Sequence, residues 1–192
     1  MMGADDLLDT TPSLHGDAAR LLSRLTPVKG ETMTIAVGDL IPDVEVQTMS
    51  ARGPKRVRTG EILGKGKTVL FAVPGAFTPT CSDHHLPGFV RRAGELKAKG
   101  VDTIACVSVN DAFVMGAWGR DQNVGSSVLM LADGNGAFTE AVGLEMDGSA
   151  FGLGRRSQRY ALVIDDGVVS GVFVEPKGGL DVSSADSVLA AL

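Results

Sequence analysis

Apolar and polar positions follow different rules in different parts of this chain. Residues 1–32 hold one short amphipathic stretch, Asp17 to Leu25, with Ala18, Leu21, Leu22 and Leu25 on one side, and end in Thr-Pro-Val-Lys-Gly. They are expected to form an N-terminal extension, a tail or docking arm, and Met33 offers an alternative start of translation. From Thr34 the pattern alternates between strand and helix. Val44–Thr48 has strand character, Lys67–Val73 (KTVLFAV) is a continuous apolar run ending at Pro74, and Val101–Val109 and Val128–Leu131 read as further buried strands. Helical spacing runs from Cys81 to Lys99 through Leu86, Phe89, Val90, Ala93 and Leu96, and Gly100 stops it. A second helix is expected over Asp111–Gln122 with Asn110 as its N-cap, and a last one to Leu192 capped by Ser183 or Ser184. Asp165-Asp166-Gly167 between Tyr160–Ile164 and Val168–Val174 signals a hairpin. Helices alternating with near-continuously apolar strands imply a parallel core sheet covered on both faces, and the hairpin makes that sheet mixed. The fold class is α/β, with one domain over residues 33–192.

Composition narrows the function. At 192 residues the chain has room for one domain and an extension. A net charge of −5 gives no electrostatic reason to bind nucleic acid or an anionic membrane surface. No apolar run approaches the roughly 20 residues of a membrane span. The 25 glycines are spread through loops without a phosphate-binding fingerprint, so no nucleotide cofactor is expected. Two cysteines, Cys81 and Cys106, and three histidines make neither a disulfide framework nor a metal cluster. The acidic N-terminus resembles neither a secretory signal nor a transit peptide, which gives the cytosol as the expected compartment. There a cysteine in a special local context is reactive more often than structural.

That context is FAVPGAFTPTCSDHHLPGF, residues 71–89. A buried strand ends, Pro74 and Gly75 turn the chain, and a helix begins near Cys81. A thiol in the first turn of a helix faces unpaired backbone N–H groups and the positive dipole end, which favour an anion. Ionisation alone goes only so far. Full conversion to thiolate gains at most ~30-fold at neutral pH, and the weaker nucleophilicity of an acidic thiol returns much of it. An efficient enzyme therefore needs donors that act on the transition state. Candidates are the Thr78 hydroxyl and an arginine from elsewhere in the fold. His85, four residues after Cys81 and on the same helix face, is expected to hydrogen-bond structurally. His84 is expected to face solvent, and Trp118, Phe113 and Met115 to pack in the core or in a dimer face.

Pro74, Thr78 and Cys81 fit the P-x-x-x-T-x-x-C motif of peroxiredoxins. The longer string PGAFTPTCS, with VSVNDAFVMGAWG (107–119), RSQRYALVIDDGVV (156–169) and VEP (174–176), resembles the peroxiredoxin-5-like, atypical type II branch of the AhpC/TSA-redoxin superfamily. The resemblance covers about Thr34 to Leu192. It implies a thioredoxin-like fold and a thiol peroxidase acting on hydrogen peroxide and alkyl hydroperoxides. Cys81 would be the peroxidatic cysteine, Thr78 would orient thiolate and peroxide, and Pro74 would shield the pocket. Arg159, chosen over Arg155 and Arg156 because it directly precedes the strand-forming run, would hold the peroxide oxygens. Backbone N–H groups around Gly75 and Cys81 would add donors, so Gly75, Thr78, Cys81 and Arg159 form the expected substrate site. Nothing in the sequence suggests metal, haem or flavin, and the resemblance implies a homodimer.

One departure changes the expected cycle. Some members of this branch carry a resolving cysteine after the VEP motif, where this chain reads GGLDVSSADS. Cys106, within an expected core strand, is poorly placed to reach Cys81. Resolution by an external thiol is expected, in a one-cysteine mechanism, and the resemblance to bacterial and plant members of the branch implies glutathione or glutaredoxin as that thiol. The alternatives are reduction by thioredoxin, with or without Cys106 taking part, and a peroxide sensor that passes oxidation to a partner. A thioredoxin-type reductase is disfavoured because Thr78 stands where the first cysteine of C-x-x-C would be.

Overall fold

The structure, a computed structural model, describes residues 33–176 and 179–192. The expected N-terminal extension, with its Asp17–Leu25 stretch, lies outside the described residues. Seven strands form one mixed sheet in the order β2-β1-β5-β4-β3-β8-β9. The centre is parallel: β3 (Lys67–Ala72), β4 (Thr103–Ser108) and β5 (Leu129–Ala132) pair in that sense. On one side the hairpin of β8 (Tyr160–Asp165) and β9 (Val168–Val174) runs antiparallel to β3. On the other, β1 (Glu45–Ser50) pairs antiparallel with both β5 and β2 (Gly53–Arg58).

The central strands lie where the apolar runs predicted them. In β3 every residue from Thr68 to Ala72 is buried, as expected of a strand covered on both faces. Asp166 and Gly167 take positive φ in the turn between β8 and β9, which is what Asp-Gly supplies at low cost. Two apolar clusters flank the sheet. One joins Phe71, Phe89, Met115, Trp118 and both cysteines, and the other joins Leu63, Leu70, Phe138, Tyr160 and Leu162.

The expected helices are present with altered ends. The first is α2 (Leu86–Ala98), entered through a π-helical turn at Cys81–His85, so the helix does not start cleanly at Cys81. The second is α3 (Ala112–Asp121), and its N-cap is Asp111, whose carboxylate accepts from the Val114 N–H, not the expected Asn110. Asn110 is used elsewhere, as described below. Ser184 caps the last helix, α5 (Ala185–Ala191). Short elements without a periodic pattern were not expected: β2, α1 (Thr59–Leu63), α4 (Ala137–Ala141), and the two-stranded pair of β6 (Glu145–Asp147) and β7 (Arg155–Ser157).

Candidate active site

The site lies where the chain leaves β3. Pro74 and Gly75 turn it, Phe77 takes a left-handed φ of 63°, and helical backbone begins at residue 79. Asn110 fastens this loop: its Oδ1 accepts from the Ala76 N–H at 3.0 Å and from the Ser108 hydroxyl at 2.8 Å. Thr78 donates its hydroxyl proton to the Gly75 carbonyl at 2.8 Å. With that proton committed, the oxygen can only accept from whatever sits above the thiol. Gly75 thus takes part through its carbonyl, and a methyl group added there would press on the Thr78 side chain at 3.3 Å.

Cys81 is fully buried and opens the π-helical turn, whose signature bond runs from the Leu86 N–H to the Cys81 carbonyl. The wider turn brings His85 round onto the buried face with Cys81 and leaves His84 exposed. Trp118, also fully buried, donates its indole N–H to the Ser82 hydroxyl at 3.0 Å, tying the turn to α3.

Arg159, next to β8, is 5% exposed and reaches back across the sheet. Its Nη2 donates to Cys81 Sγ at 3.4 Å and its Nη1 lies 3.0 Å from His85 Nδ1. His85 Nε2 is 3.0 Å from the Ser183 carbonyl. A carbonyl only accepts, so Nε2 carries the ring proton and Nδ1 accepts from the guanidinium. Burial, then the neighbouring Arg159 charge, lowers the His85 pKa to about 3, so the ring is neutral at physiological pH. Among the described residues Arg159 has no carboxylate within ion-pair distance, and its Nε–H has no hydrogen-bond partner. A buried cation needs an anion. Neutral His85 supplies none, and the Glu175 carboxylate lines the same cavity without pairing directly with Arg159, so the guanidinium is free to address the Cys81 sulfur and a substrate beside it.

The other two candidate arginines bond to other partners. Arg155 pairs with Glu140 and Glu145, and Arg156 donates to the Leu153 and Val109 carbonyls. A cavity of about 260 Å³ lies beside Pro74, Gln158, Arg159, Glu175 and Pro176, whereas a larger cleft between β1 and α3 contains none of the expected site residues. Cys106, in β4 opposite Phe71, is a free thiol like Cys81; burial, and next the nearby Cys81, push its pKa well up. Among the described residues no three His, Cys, Asp or Glu side chains converge as a metal site.

The Redoxin family model matches residues 36–189. Peroxiredoxin-2B of Arabidopsis thaliana is 50% identical over 159 residues, covering 82% of this chain and 98% of that protein. The chain belongs to the peroxiredoxins. Chloroplastic peroxiredoxin-2E of the same plant is 50% identical over 171 residues, which is 87% of this chain and 72% of the relative. Among solved structures, reduced Prx3 of Vibrio vulnificus in complex with hydrogen peroxide superposes with a TM-score of 0.79 at 53% identity, over 82% of this chain and 99% of that one. This peroxiredoxin has the thioredoxin-like α/β fold of its relatives and is a thiol peroxidase.

Three residues that hold the site together are not legible in the sequence. The local pattern makes Asn110 a helix cap, although VSVND lies within a string that resembles the family. Glu175, in VEP, and Ser183 were not connected with the thiol, because nothing in the pattern shows that the C-terminal segment returns to His85.

Proposed function

We propose that this peroxiredoxin reduces hydrogen peroxide and small alkyl hydroperoxides through Cys81 and is recycled by glutathione or glutaredoxin. The reading rests above all on the bond from Arg159 Nη2 to Cys81 Sγ, made by a buried guanidinium that forms no ion pair among the described residues. The thiolate attacks the terminal peroxide oxygen. The S–O bond forms as the O–O bond breaks, Cys81 becomes a sulfenic acid, and the leaving oxygen takes up a proton to depart as water or alcohol. Arg159 stabilises the charge moving onto that oxygen, and Thr78, able only to accept, receives the peroxide O–H and orients it. Pro74 shields the pocket, and N–H groups around Gly75 and Cys81 complete the donor set.

The sulfenic acid then condenses with an external thiol, losing water to give a mixed disulfide, and a second thiol releases Cys81. Beyond Cys81 the chain has only Cys106, which is buried and held protonated, so external resolution is favoured. Because Cys81 is itself buried, the 81–85 turn unwinds to meet the reductant. We place the protein in the cytosol, as a homodimer whose interface buries Phe113, 67% accessible on α3.

The test is peroxide-dependent NADPH oxidation with glutathione, glutaredoxin and glutathione reductase, beside a thioredoxin system and a Cys81→Ser control. Turnover with the glutathione system that vanishes in the control is the expected outcome. Turnover with thioredoxin alone would keep the peroxidase and discard the donor. Rapid Cys81 oxidation without turnover in either system would favour a sensor.

A further inference from the structure

Glu175 is only 6% exposed, yet its side chain hydrogen-bonds neither Cys81 nor Arg159. Its Oε1 accepts three hydrogen bonds, from the N–H of Asp181 at 2.7 Å, the N–H of Ser183 at 2.8 Å and the Ser183 hydroxyl at 2.8 Å. Burial pushes this carboxyl up, but the bonds from Ser183 and Asp181 outweigh it and hold it below the ordinary carboxylate value, so the group is ionised. A buried carboxylate is an expensive way to shape a loop unless the loop has a task.

The task is legible in the next bond. The Ser183 residue gripped by the carboxylate turns its carbonyl toward His85 Nε2. That contact fixes the ring tautomer, and the tautomer decides whether Nδ1 offers Arg159 a lone pair or a competing N–H. The backbone closes the circuit, because the Glu175 N–H donates to the Arg159 carbonyl at 3.0 Å. Glu175 therefore restrains Arg159 from both ends, at its main chain directly and at its guanidinium through Ser183 and His85.

We propose that Glu175 is a positioning residue for peroxide reduction, acting through the Ser183 carbonyl and His85 to aim Arg159 at the Cys81 sulfur. The proposal rests on Arg159 being the donor at Cys81. It makes a distinction that plain loop stability does not. Misaiming Arg159 weakens transition-state stabilisation of O–O cleavage, a reaction that needs the guanidinium. It touches far less the alkylation of Cys81 by iodoacetamide at a pH high enough to keep the thiol ionised, where no charge moves onto a leaving oxygen.

The experiment measures second-order constants for hydrogen peroxide and for iodoacetamide in the wild type, Arg159→Gln, Glu175→Ala, Glu175→Gln, His85→Ala and the Glu175→Ala/His85→Ala pair. Circular dichroism confirms folding. Glu175→Ala is expected to lose about tenfold or more toward peroxide and less than about threefold toward iodoacetamide. Glu175→Gln, which keeps an accepting oxygen, restores most of the loss. In the His85→Ala background the alanine at 175 costs less than about twofold, because the link it acts through is gone. Equal losses toward both reagents, the same peroxide loss in the His85→Ala background, or a glutamine no better than alanine would overturn the proposal. If Glu175→Ala does not fold, Glu175→Asp, which withdraws the oxygens by one carbon, takes its place in both backgrounds under the same expectations. If Arg159→Gln left peroxide reactivity intact, the assignment of Arg159 would fail instead.

Discussion

Arg159 brings a permanent charge into a nearly closed site, and its identity matters in a way that charge alone does not capture. Two of its nitrogens serve two different acceptors, Cys81 Sγ and His85 Nδ1. A lysine ammonium has no such planar fork. Arg159→Lys is expected to slow peroxide reduction by ~10²-fold, measured by stopped-flow kinetics. His85 sets a second, pH-dependent prediction. The unfolded chain's ring protonates near pH 6.5, whereas the folded ring does so only near 3. Stability is therefore complete above pH 6.5 and is lost as pH falls from 6.5 toward 3, by an amount on the order of a few kcal/mol. Thermal midpoints should decline from pH 7 to 5, and His85→Gln should flatten that decline. Glu175 adds acid sensitivity only lower down, as pH falls through its ordinary value of 4.5. His85 was readable from its spacing to Cys81, and Thr78 and Arg159 from their motifs. The tautomer was not, because it is set by a carbonyl 98 residues away.

At the level of elements, the catalytic turn is clasped at both ends: the Trp118 indole holds Ser82, and Ser183 and Arg159 hold His85. Removing the first clasp with Ser82→Ala orphans a buried N–H, an expected cost of about 1–3 kcal/mol by denaturant unfolding. Oxidation of Cys81 to the sulfenic acid should raise hydrogen exchange across residues 78–86, and unchanged exchange would count against unwinding of the turn. Strands β3, β4 and β8 were legible because burial on both faces leaves long apolar runs. The β2 segment GPKRVR, three-residue β6 and β7, and five-residue α1 and α4 were not. Elements so short or polar are held by their neighbours and need carry no periodic signal of their own.

For the whole molecule, the two thiols share one apolar cluster but differ in surroundings. Cys81 faces a guanidinium, whereas Cys106 sits in the middle of the sheet opposite Phe71. Cys106→Ala should leave glutathione-supported turnover unchanged, and a loss of turnover would bring Cys106 into the cycle. The exposed Phe113 contrasts with Met115 and Trp118 on the same helix, both fully buried. The sequence pattern does not tell these three apart; the helix separates them by face. Phe113→Asp should shift sedimentation from dimer to monomer without unfolding the protein.

The π-helical turn also makes the active site a matter of arithmetic. Each residue of an α-helix turns the chain by about 100° and advances it by about 1.5 Å. The turn between Cys81 and Leu86 holds one residue more than an α-helical turn would. Asp83 is exposed and bonds to nothing in the site. Deleting it would remove no named catalytic group, yet it would let the helix close up and swing the thiol away from Arg159. The enzyme can thus be disarmed by the length of its chain alone, with each reactive side chain still present.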